Sequence, residues 1–475
     1  MLLLSLLVTL GAAAAAAPAL VPAAPLAAPA EQHLARELLA ELVGIDTSSE
    51  TGSTTRAAKA LARRLRQAGW PGADVQILGP TPAKQNLVAR LRAPGKTTRK
   101  PLLLLGHLDV VQALRQDWSE EPYKLTEKDG YFYGRGTADM KGQDAIWVAT
   151  LLRLKRERAP LDRDIILALT ADEEHGASND NGVRWLIEHN PALIAAELAL
   201  NEGGGGEIKS GRRRSNDVQA SEKGYLSFRL EVRDKGGHSS LPPKENAIVR
   251  LSEGLGRLGH HEFPARLDPV VRAYFERTAP LETGAMAADL RTLAATPAGA
   301  APDAAATGRL SALPFYNARL RTTCVPTRLE GGHADNALPQ LAAALINCRL
   351  LPGDTAEGVR AALVAVLGDD KIEVKPITAL EDGPVGLPPP AFLAVVDQVS
   401  RRHFPEVPVV PVMSSGASDG RFLRAAGTPT YGVSGLFGDV DDVRAHGRDE
   451  RLAVQSFYEG QEFAYQLVRA LASSP

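Results

Sequence analysis

The stretch LLLLGHLD at residues 102–109 joins an unbroken apolar run to an imidazole and a carboxylate. The four leucines predict a strand that is buried on both faces of a sheet. Apolar runs at 165–169 and 198–200 lead into polar, glycine-containing sequence in the same way. Between the first two runs, apolar spacing predicts a helix from just after Gly142 to near Pro160. This alternation predicts an α/β fold with a mostly parallel central sheet and helices on both faces.

The α/β pattern is interrupted and later resumes, which predicts a main domain that is split by an insert. From residue 219 onward, an alternating strand, an Ala/Pro-rich helical stretch and a further strand and helix replace the earlier pattern. We therefore divide the chain into a leader with a spacer (1–30), a first part of the main domain (31–218), a smaller α+β insert (219–378) and a second part of the main domain (379–475).

Composition excludes several classes of partner and site. The 475 residues include 54 Lys plus Arg and 56 Asp plus Glu, so the net charge of −2 predicts no nucleic-acid binding. The two cysteines, Cys324 and Cys348, are too few for a zinc site built from four thiolates. A metal would therefore be held by imidazole and carboxylate groups. Both cysteines lie in the insert, where a disulfide between them can form in an oxidising compartment.

The first thirty residues carry no charged side chain. The apolar run from Leu2 to Ala17 is shorter than the roughly 20 residues of a membrane span, and the small residues after it suit a signal peptidase. Cleavage after Ala17 or after Ala30 fits this pattern. We expect an exported protein, periplasmic or secreted, whose mature form has no stable membrane span.

Metal-ligand residue types follow each of the three apolar runs. The two-residue period puts His107 and Asp109 on one side of an extended segment, so Asp109 can accept a hydrogen bond from a metal-bound His107. The triplet 172–174 places adjacent carboxylates in an apolar context, where a cation would relieve their repulsion. One of them can bind metal while its neighbour acts as a general base. Glu202 precedes glycines that permit close approach of a ligand.

Two further candidates lie outside these runs. Asp139 opens the helix that follows the glycine-rich segment 134–142, where it can offer one oxygen to each of two metals. His446 lies between small residues near the C-terminus. Taken singly, each motif also fits a structural role: a satisfied His–Asp pair, a solvated acidic turn, a flexible glycine loop, an N-cap aspartate or a surface histidine.

Taken together, the segments 106–111, 134–142, 172–174, 201–204 and 236–240 and the segment around His446 resemble, in order and spacing, the motifs of the M20 metallopeptidases, in particular the carboxypeptidase S-like branch. The resemblance implies that the main domain is catalytic, that the insert is a lid and dimerisation domain, and that two Zn²⁺ ions are bound, with Co²⁺ or Mn²⁺ as substitutes. It further implies that His107 and Glu202 bind one ion, that Glu174 and His446 bind the other, and that Asp139 bridges them.

The resemblance also implies roles for residues around the metals. Glu173 corresponds to the general base, and Asp109 to the carboxylate that supports His107. Arg349 corresponds to an arginine that grips the substrate carboxylate. Asn336 and His238 correspond to insert residues that reach the substrate, the histidine often across a dimer interface, which leads us to expect a homodimer through the insert.

We therefore expect a metallopeptidase that hydrolyses dipeptides or C-terminal peptide bonds. An aminoacylase that acts on N-acyl amino acids is the alternative, because both substrates present an amide and a carboxylate. A non-catalytic exported protein that binds metal or peptide is the third possibility.

Overall fold

The computed structural model describes residues 24–95, 97–175, 178–380, 383 and 386–473. Most of the predicted signal peptide and spacer, residues 1–23, lies outside the described residues. Residues 24–28 precede the first helix, which begins at Pro29. The backbone N–H of Ala24 donates to Glu459 Oε1 at 3.1 Å, and Ala24 is buried, so this short segment packs on the folded domain.

The strands are β1 (Val75–Leu78), β2 (Asn86–Leu91), β3 (Leu102–His107), β4 (Thr126–Lys128), β5 (Tyr131–Tyr133), β6 (Ile165–Thr170), β7 (Leu198–Asn201), β8 (Gly206–Lys209), β9 (Arg212–Glu222), β10 (Gly224–Arg233), β11 (Gly237–His238), β12 (Thr323–Gly331), β13 (Ala337–Leu338), β14 (Leu341–Leu350), β15 (Ile372–Pro376), β16 (Val409–Ser414), β17 (Thr430–Gly432), β18 (Phe437–Asp439) and β19 (Arg451–Ala453). The α-helices are α1 (Pro29–Val43), α2 (Thr54–Gln67), α3 (Lys141–Arg156), α4 (Gly182–His189), α5 (Pro191–Ile194), α6 (Ala247–Gly259), α7 (Pro269–Thr278), α8 (Gly284–Ala294), α9 (Ala304–Ser311), α10 (Pro314–Leu320), α11 (Ala356–Leu367), α12 (Pro390–His403), α13 (Gly420–Ala425) and α14 (Val454–Ala472).

The large sheet has the strand order β1-β2-β6-β3-β7-β17-β9-β8-β18, with β16 paired to β9. Its centre, β6-β3-β7-β17, is parallel. Every residue of β3 and β6 is buried, as their apolar runs predict for strands covered on both faces. The expected α/β fold with a mostly parallel central sheet is thus confirmed.

Helices cover both faces of this sheet, and the two-residue period of the strands shows how. In β3, Leu102 and Leu104 pack in one core with α1, α2, α3, α12 and α14. Their neighbours Leu103 and Leu105 point the other way and pack with α4, α5 and α13. Consecutive leucines therefore serve opposite cores, and this explains why the strand contains no polar alternation.

A second sheet has the order β12-β14-β10-β15 and packs against α6 and α11. The disulfide between Cys324 and Cys348, which the sequence allows but does not decide, is present and joins β12 to β14. The chain leaves the large sheet at Glu222 and enters the second sheet at Gly224. The helices α7 to α10 pack on β16 of the large sheet instead, so part of the predicted insert contacts the main sheet. The division at 219 and 378 stays a prediction.

Among the described residues, no helix has both the length and the apolar character needed to cross a bilayer.

Candidate metal centre

The five predicted metal ligands meet at one edge of the large sheet. His107 ends β3 and Glu202 directly follows β7, while Glu174 lies in the segment after β6. These strands are parallel, so their carboxyl ends open on the same side. Asp139 immediately precedes α3, and His446 lies between β18 and β19. The structure therefore gathers side chains that are far apart in sequence.

The ligand atoms form two groups that share Asp139. In the first group, His107 Nε2 lies 3.2 Å from Asp139 Oδ1 and 3.5 Å from Glu202 Oε2. In the second group, His446 Nε2 lies 3.1 Å from Asp139 Oδ2 and 2.9 Å from Glu174 Oε2. Within each group the ligand atoms all lie within 4.8 Å of one another. Asp139 thus presents one oxygen to each group.

The electrostatics of the cluster suit a cation. Burial raises the pKa of Glu202 to about 7, and the nearby charge of Asp139 also disfavours ionisation. Burial and then the charge of Glu202 raise the pKa of Glu173 well above its ordinary value. Hydrogen bonds to Asp139 and Glu174 raise the pKa of His446 to about 10. Without a metal, the repulsion between these carboxylates is limited by protons on the carboxyl and imidazole groups of the cluster. Divalent cations would bind in place of those protons.

The donor set fits the expected metal. Each group combines one imidazole with two carboxylates, a mixture that zinc accepts readily, whereas calcium and magnesium prefer oxygen ligands alone. Zn²⁺, Co²⁺ and Mn²⁺ are all compatible with such ligands.

Asp109 connects the segments of two ligands. Its Oδ2 accepts a hydrogen bond from the backbone N–H of Glu174 at 3.0 Å. Its Oδ1 lies 3.8 Å from His107 Nδ1, whereas the Asp109 backbone carbonyl is closer, at 3.0 Å. Burial raises the pKa of Asp109 to about 6. The carbonyl therefore sets the orientation of the His107 ring more directly than the carboxylate that the sequence singled out.

Sequence reasoning missed an ion pair that joins two ligand loops. The carboxylate of Glu450 accepts hydrogen bonds from three backbone N–H groups of the Asp139 loop at 2.8 to 2.9 Å. It also pairs with Arg135 at 2.7 Å, and both side chains are buried. Arg135 in turn donates to the carbonyl of Gly447 at 3.0 Å, next to His446, whose φ of 63° is left-handed. This pair, the Arg135–Glu450 clamp, holds the loops of Asp139 and His446 together.

Two further buried acids near the centre were also missed. Asp419 accepts hydrogen bonds from Thr170 at 3.0 Å and from Asn181 at 2.6 Å, and thus supports the end of β6. Asp144, in the first turn of α3, packs so closely on Gly106 that an added Cβ there would lie 2.2 Å from its Oδ1. Asp419 follows the apolar strand β16, so the rule that found the other candidates could have found it.

The predicted substrate residues of the insert lie in two places: His238 and Asn336 lie in the ribbon that precedes β14, and Arg349 lies at the far end of β14. His238 lies opposite Ala337 in the short ribbon β11–β13, and the backbone N–H of Ser239 donates to the Asn336 carbonyl at 3.0 Å. Arg349 is half-buried on β14 and lies over the ring of Tyr225, 4.6 Å from its centroid. Within the described chain, no hydrogen bond or ion pair joins His238, Asn336 or Arg349 to the five ligand candidates.

The ring nitrogens of His238 have different partners. Its Nδ1 accepts from the backbone N–H of Ser240 at 3.2 Å and lies 2.8 Å from the Ser240 hydroxyl. A neutral His238 therefore carries its proton on Nε2, which makes no hydrogen bond to any residue that the structure describes.

Comparison with known proteins identifies the family to which this chain belongs. N-fatty-acyl-amino acid synthase/hydrolase PM20D1 of Homo sapiens is 28% identical over 379 residues, which cover 78% of this chain and 74% of that protein. Probable carboxypeptidase S-like 2 of Dictyostelium discoideum is 27% identical over 381 residues, which cover 78% of this chain and 71% of that protein.

Among solved structures, the M20 family metallo-carboxypeptidase Sso-CP2 from Sulfolobus solfataricus has the same fold, with a TM-score of 0.67 at 19% identity over 92% of this chain and 98% of that chain. The family model for peptidase family M20/M25/M40 matches residues 103–470, a range that contains all five ligand candidates. The chain therefore belongs to peptidase family M20/M25/M40 and is a metallopeptidase or amidohydrolase of that family.

Proposed function

We propose that the protein hydrolyses the amide bond of dipeptides or of C-terminal residues, with two zinc ions and with Glu173 as general base. The observation that supports this most is the sharing of Asp139 between two groups of one histidine and one further carboxylate each, beside the unligated Glu173. His107 and Glu202 would hold one ion, and Glu174 and His446 the other.

When bound, the ions would lower the pKa of a water and polarise the amide carbonyl. Glu173 would accept the proton of the attacking water and return it to the leaving amine. Its carboxylate makes no hydrogen bond within the described residues, so it is free to do so. His238 would donate from Nε2 to the developing oxyanion, Arg349 would hold the substrate carboxylate, and Asn336 would contact the substrate.

Hydrolysis of N-acyl amino acids is a second candidate that specific observations favour. The name of the human relative describes a hydrolase of N-fatty-acyl amino acids. An N-acyl amino acid offers the same amide and carboxylate as a dipeptide, so the same side chains would bind it. A non-catalytic binding protein is disfavoured because Glu173 and all five ligand candidates are present.

The general base is tested by Glu173→Gln. This variant keeps the size of the side chain but cannot accept a proton, so we expect turnover to fall by about 10² to 10⁴-fold while two metals remain bound. Metal content by mass spectrometry and hydrolysis assays would measure both quantities. The matched control is Glu188→Gln on the exposed face of α4. Turnover near that of the control would place the base elsewhere.

The choice between peptide and N-acyl substrates is tested with matched pairs. A set of dipeptides and the N-acetyl derivatives of their C-terminal residues would be compared by kcat/KM. A preference for the dipeptides supports the peptidase, and a preference for the N-acetyl compounds supports the aminoacylase.

The role of His238 is tested by His238→Ala. Loss of an oxyanion donor lowers turnover by about 10² to 10³-fold in comparable sites, and metal content should not change because His238 is not a ligand. His261→Ala, in the loop after α6, is the control. Unchanged turnover with full metal content would refute the proposed role.

We further propose that the protein is a homodimer through the insert. The edge strand β12 of the second sheet supports this, because its outer edge is unpaired within the described chain and Val325 and Leu329 are 53% and 66% exposed. Leu329→Lys should shift the mass measured by light scattering from dimer to monomer. A monomeric wild type would contradict the proposal.

We also propose that the protein is exported. The Cys324–Cys348 disulfide supports this, since such bonds persist in oxidising compartments. Cleavage after Ala17 is expected instead of cleavage after Ala30, because α1 already begins at Pro29. The N-terminal mass of protein recovered from the periplasm or medium would test both statements.

A further inference from the structure

Two half-buried arginines, Arg349 and Arg421, have no ion-pair partner where the insert meets the main domain. Arg349 lies over the ring of Tyr225, and Arg421, in α13, lies over the ring of its neighbour Phe422, 4.5 Å from the centroid. No residue that the structure describes accepts a hydrogen bond from either guanidinium group. Each guanidinium has five N–H donors, so both arginines can still bind an acceptor.

A buried ion pair brings α13 to the strand that carries Tyr225. Arg424 of α13 pairs with Glu222, and both side chains are buried. Arg421 precedes Arg424 by three residues and therefore lies on the same side of the helix. Shortly after Glu222 the chain enters β10, in which Tyr225 is paired with Arg349 of β14. The two arginines therefore approach one junction, Arg349 from the insert and Arg421 from the main domain.

The charges at this junction are not balanced. Burial and the charge of Arg421 lower the pKa of Arg349, so the two guanidinium groups repel each other. The acids whose charges reach these arginines already have other partners. Glu222 is paired with Arg424, and Asp419 accepts hydrogen bonds from two neutral side chains. An anion bound between Arg349 and Arg421 would relieve the repulsion.

The loop that precedes α13 connects the junction with the metal centre. The hydroxyl of Ser418 accepts a hydrogen bond at 3.0 Å from Asn201, which ends β7, the strand that leads into a ligand candidate. The same hydroxyl donates to Glu222 at 2.8 Å. A single side chain thus connects the end of β7 with the start of the junction. A substrate held both at the metals and at Arg349 therefore passes close to Arg421.

We propose that Arg421 and Arg349 together select substrates that carry two carboxylates on the amine side of the scissile bond. Such substrates are dipeptides that end in aspartate or glutamate, and N-acyl derivatives of these two amino acids. The inference rests on the proposed function, in which Arg349 holds a carboxylate on the amine side. A guanidinium fork matches either carboxylate of such a residue, so the selection does not depend on which carboxylate each arginine holds.

The test compares substrates that differ only in the second charge. The pairs are Ala-Glu with Ala-Gln, and N-acetylglutamate with N-acetylglutamine, because an amide replaces the carboxylate at nearly the same size. The readout is the ratio of kcat/KM for the acidic member to kcat/KM for the amide member, in which a general loss of activity cancels. We expect a ratio of about 10 to 100 for the metal-loaded wild type, from the charge-assisted hydrogen bonds to Arg421 or Arg349.

Two variants change the charge at position 421. Arg421→Met keeps a long side chain without the charge and should bring the ratio close to one. Arg421→Glu reverses the charge and should bring the ratio below one, because like charges repel. The control Arg56→Met makes the same exchange on α2, at an exposed arginine without an ion-pair partner among the described residues, and should keep the ratio of the wild type. Thermal unfolding would verify that the three variants are folded.

The outcomes distinguish this inference from the proposed function. A wild type that cleaves both members of a pair equally well would overturn the selection and leave the proposed function intact. So would an Arg421→Met variant that loses activity on both members to the same degree, since Arg421 would then hold the carboxylate that all these substrates share. A metal-loaded wild type that cleaves neither these compounds nor other dipeptides would overturn both. A preference that is lost in Arg421→Met, reversed in Arg421→Glu and kept in Arg56→Met supports the selection.

Discussion

At the scale of single residues, Asp109 contacts the segments of both candidate ligand groups. Its carboxylate accepts a hydrogen bond from the backbone N–H of Glu174 at 3.0 Å and lies 3.8 Å from the His107 ring. It therefore contacts one ligand candidate of each group. In Asp109→Asn the negative charge behind His107 is lost, which makes the imidazole a weaker ligand. We expect metal affinity to fall by about 10- to 100-fold, measured by titration of the metal-free protein.

The control for this prediction is Asp74→Asn. Asp74 is also a buried aspartate, but it pairs with Arg92 at 2.6 Å before the edge strand β1, far along the sheet from β3. It should leave metal affinity unchanged. Equal affinities in Asp109→Asn and Asp74→Asn would show that the carboxylate of Asp109 does not support the ligands.

The sequence named the five ligand candidates because each one follows an apolar strand, opens a helix or falls in a motif of the family. It did not reveal the Arg135–Glu450 clamp, since that pair joins positions 315 residues apart and only the fold brings them together. The same limit applies to the second group of ligand candidates. No local sequence pattern shows that His446 lies 3.1 Å from Asp139.

At the scale of elements, the Arg135–Glu450 clamp ties the start of α3 to the loop before β19. In Glu450→Gln, Arg135 stays buried without its charged partner and the Asp139 loop loses acceptors. Breaking a buried pair in this way typically costs about 3 to 5 kcal/mol of stability. We expect that loss in urea unfolding of the metal-free protein, together with weaker metal binding in both groups, because Asp139 belongs to both.

An exposed ion pair provides the comparison for the clamp. Glu127→Gln removes the partner of Arg36 on the surface, at 3.3 Å, where such pairs contribute about 0 to 1 kcal/mol. A loss in Glu450→Gln as small as that in Glu127→Gln would mean that the clamp does not hold the loops.

The sequence predicts the strands that consist of apolar residues and misses those that are rich in polar residues. The runs at 102–105, 165–169 and 198–200 all lie in central strands of the large sheet, because a strand covered on both faces has to be apolar. The sequence RRRSNDVQASE of β9 gives no such signal, although most of the strand is buried. Some of its polar groups have distant partners, and the Asn216 amide, for example, donates to the Ser400 hydroxyl at 2.9 Å. Others, such as Asp217 Oδ1 and Ser221 Oγ, are buried without a hydrogen-bond partner in the described part of the chain. Pro411 is tolerated because β16 pairs with β9 alone in the described sheet.

At the scale of the whole molecule, Lys223 lies where the chain passes from one sheet to the other. Its ammonium group is buried and donates to the Arg321 carbonyl at 2.8 Å and to Thr323 at 3.2 Å. Burial, and then the charge of Arg349, lower the pKa of Lys223 from 10.5 to about 7. Between these values the unfolded chain binds more protons at this site than the folded one, so the stability of the folded state rises with pH.

This dependence is tested with Lys223→Met. The free energy of unfolding of the wild type minus that of the variant should increase from pH 7 to pH 9, by up to about 1.4 kcal/mol per pH unit. Other titrating groups cancel in the difference. Urea unfolding of the metal-free proteins at three pH values would measure it. A difference that stays constant or falls with pH would mean that Lys223 keeps its ordinary pKa in the folded chain.

The position of His446 has a consequence for how the enzyme is made. Its partners Asp139 and Glu174 are synthesised early, whereas His446 and Glu450 emerge from the ribosome only when nearly the whole chain has been translated. A nascent or prematurely terminated polypeptide therefore lacks the second ligand group, even if its first strands have already folded. With the proposed ligand roles, we expect products of translation that end before His446 to lack hydrolytic activity.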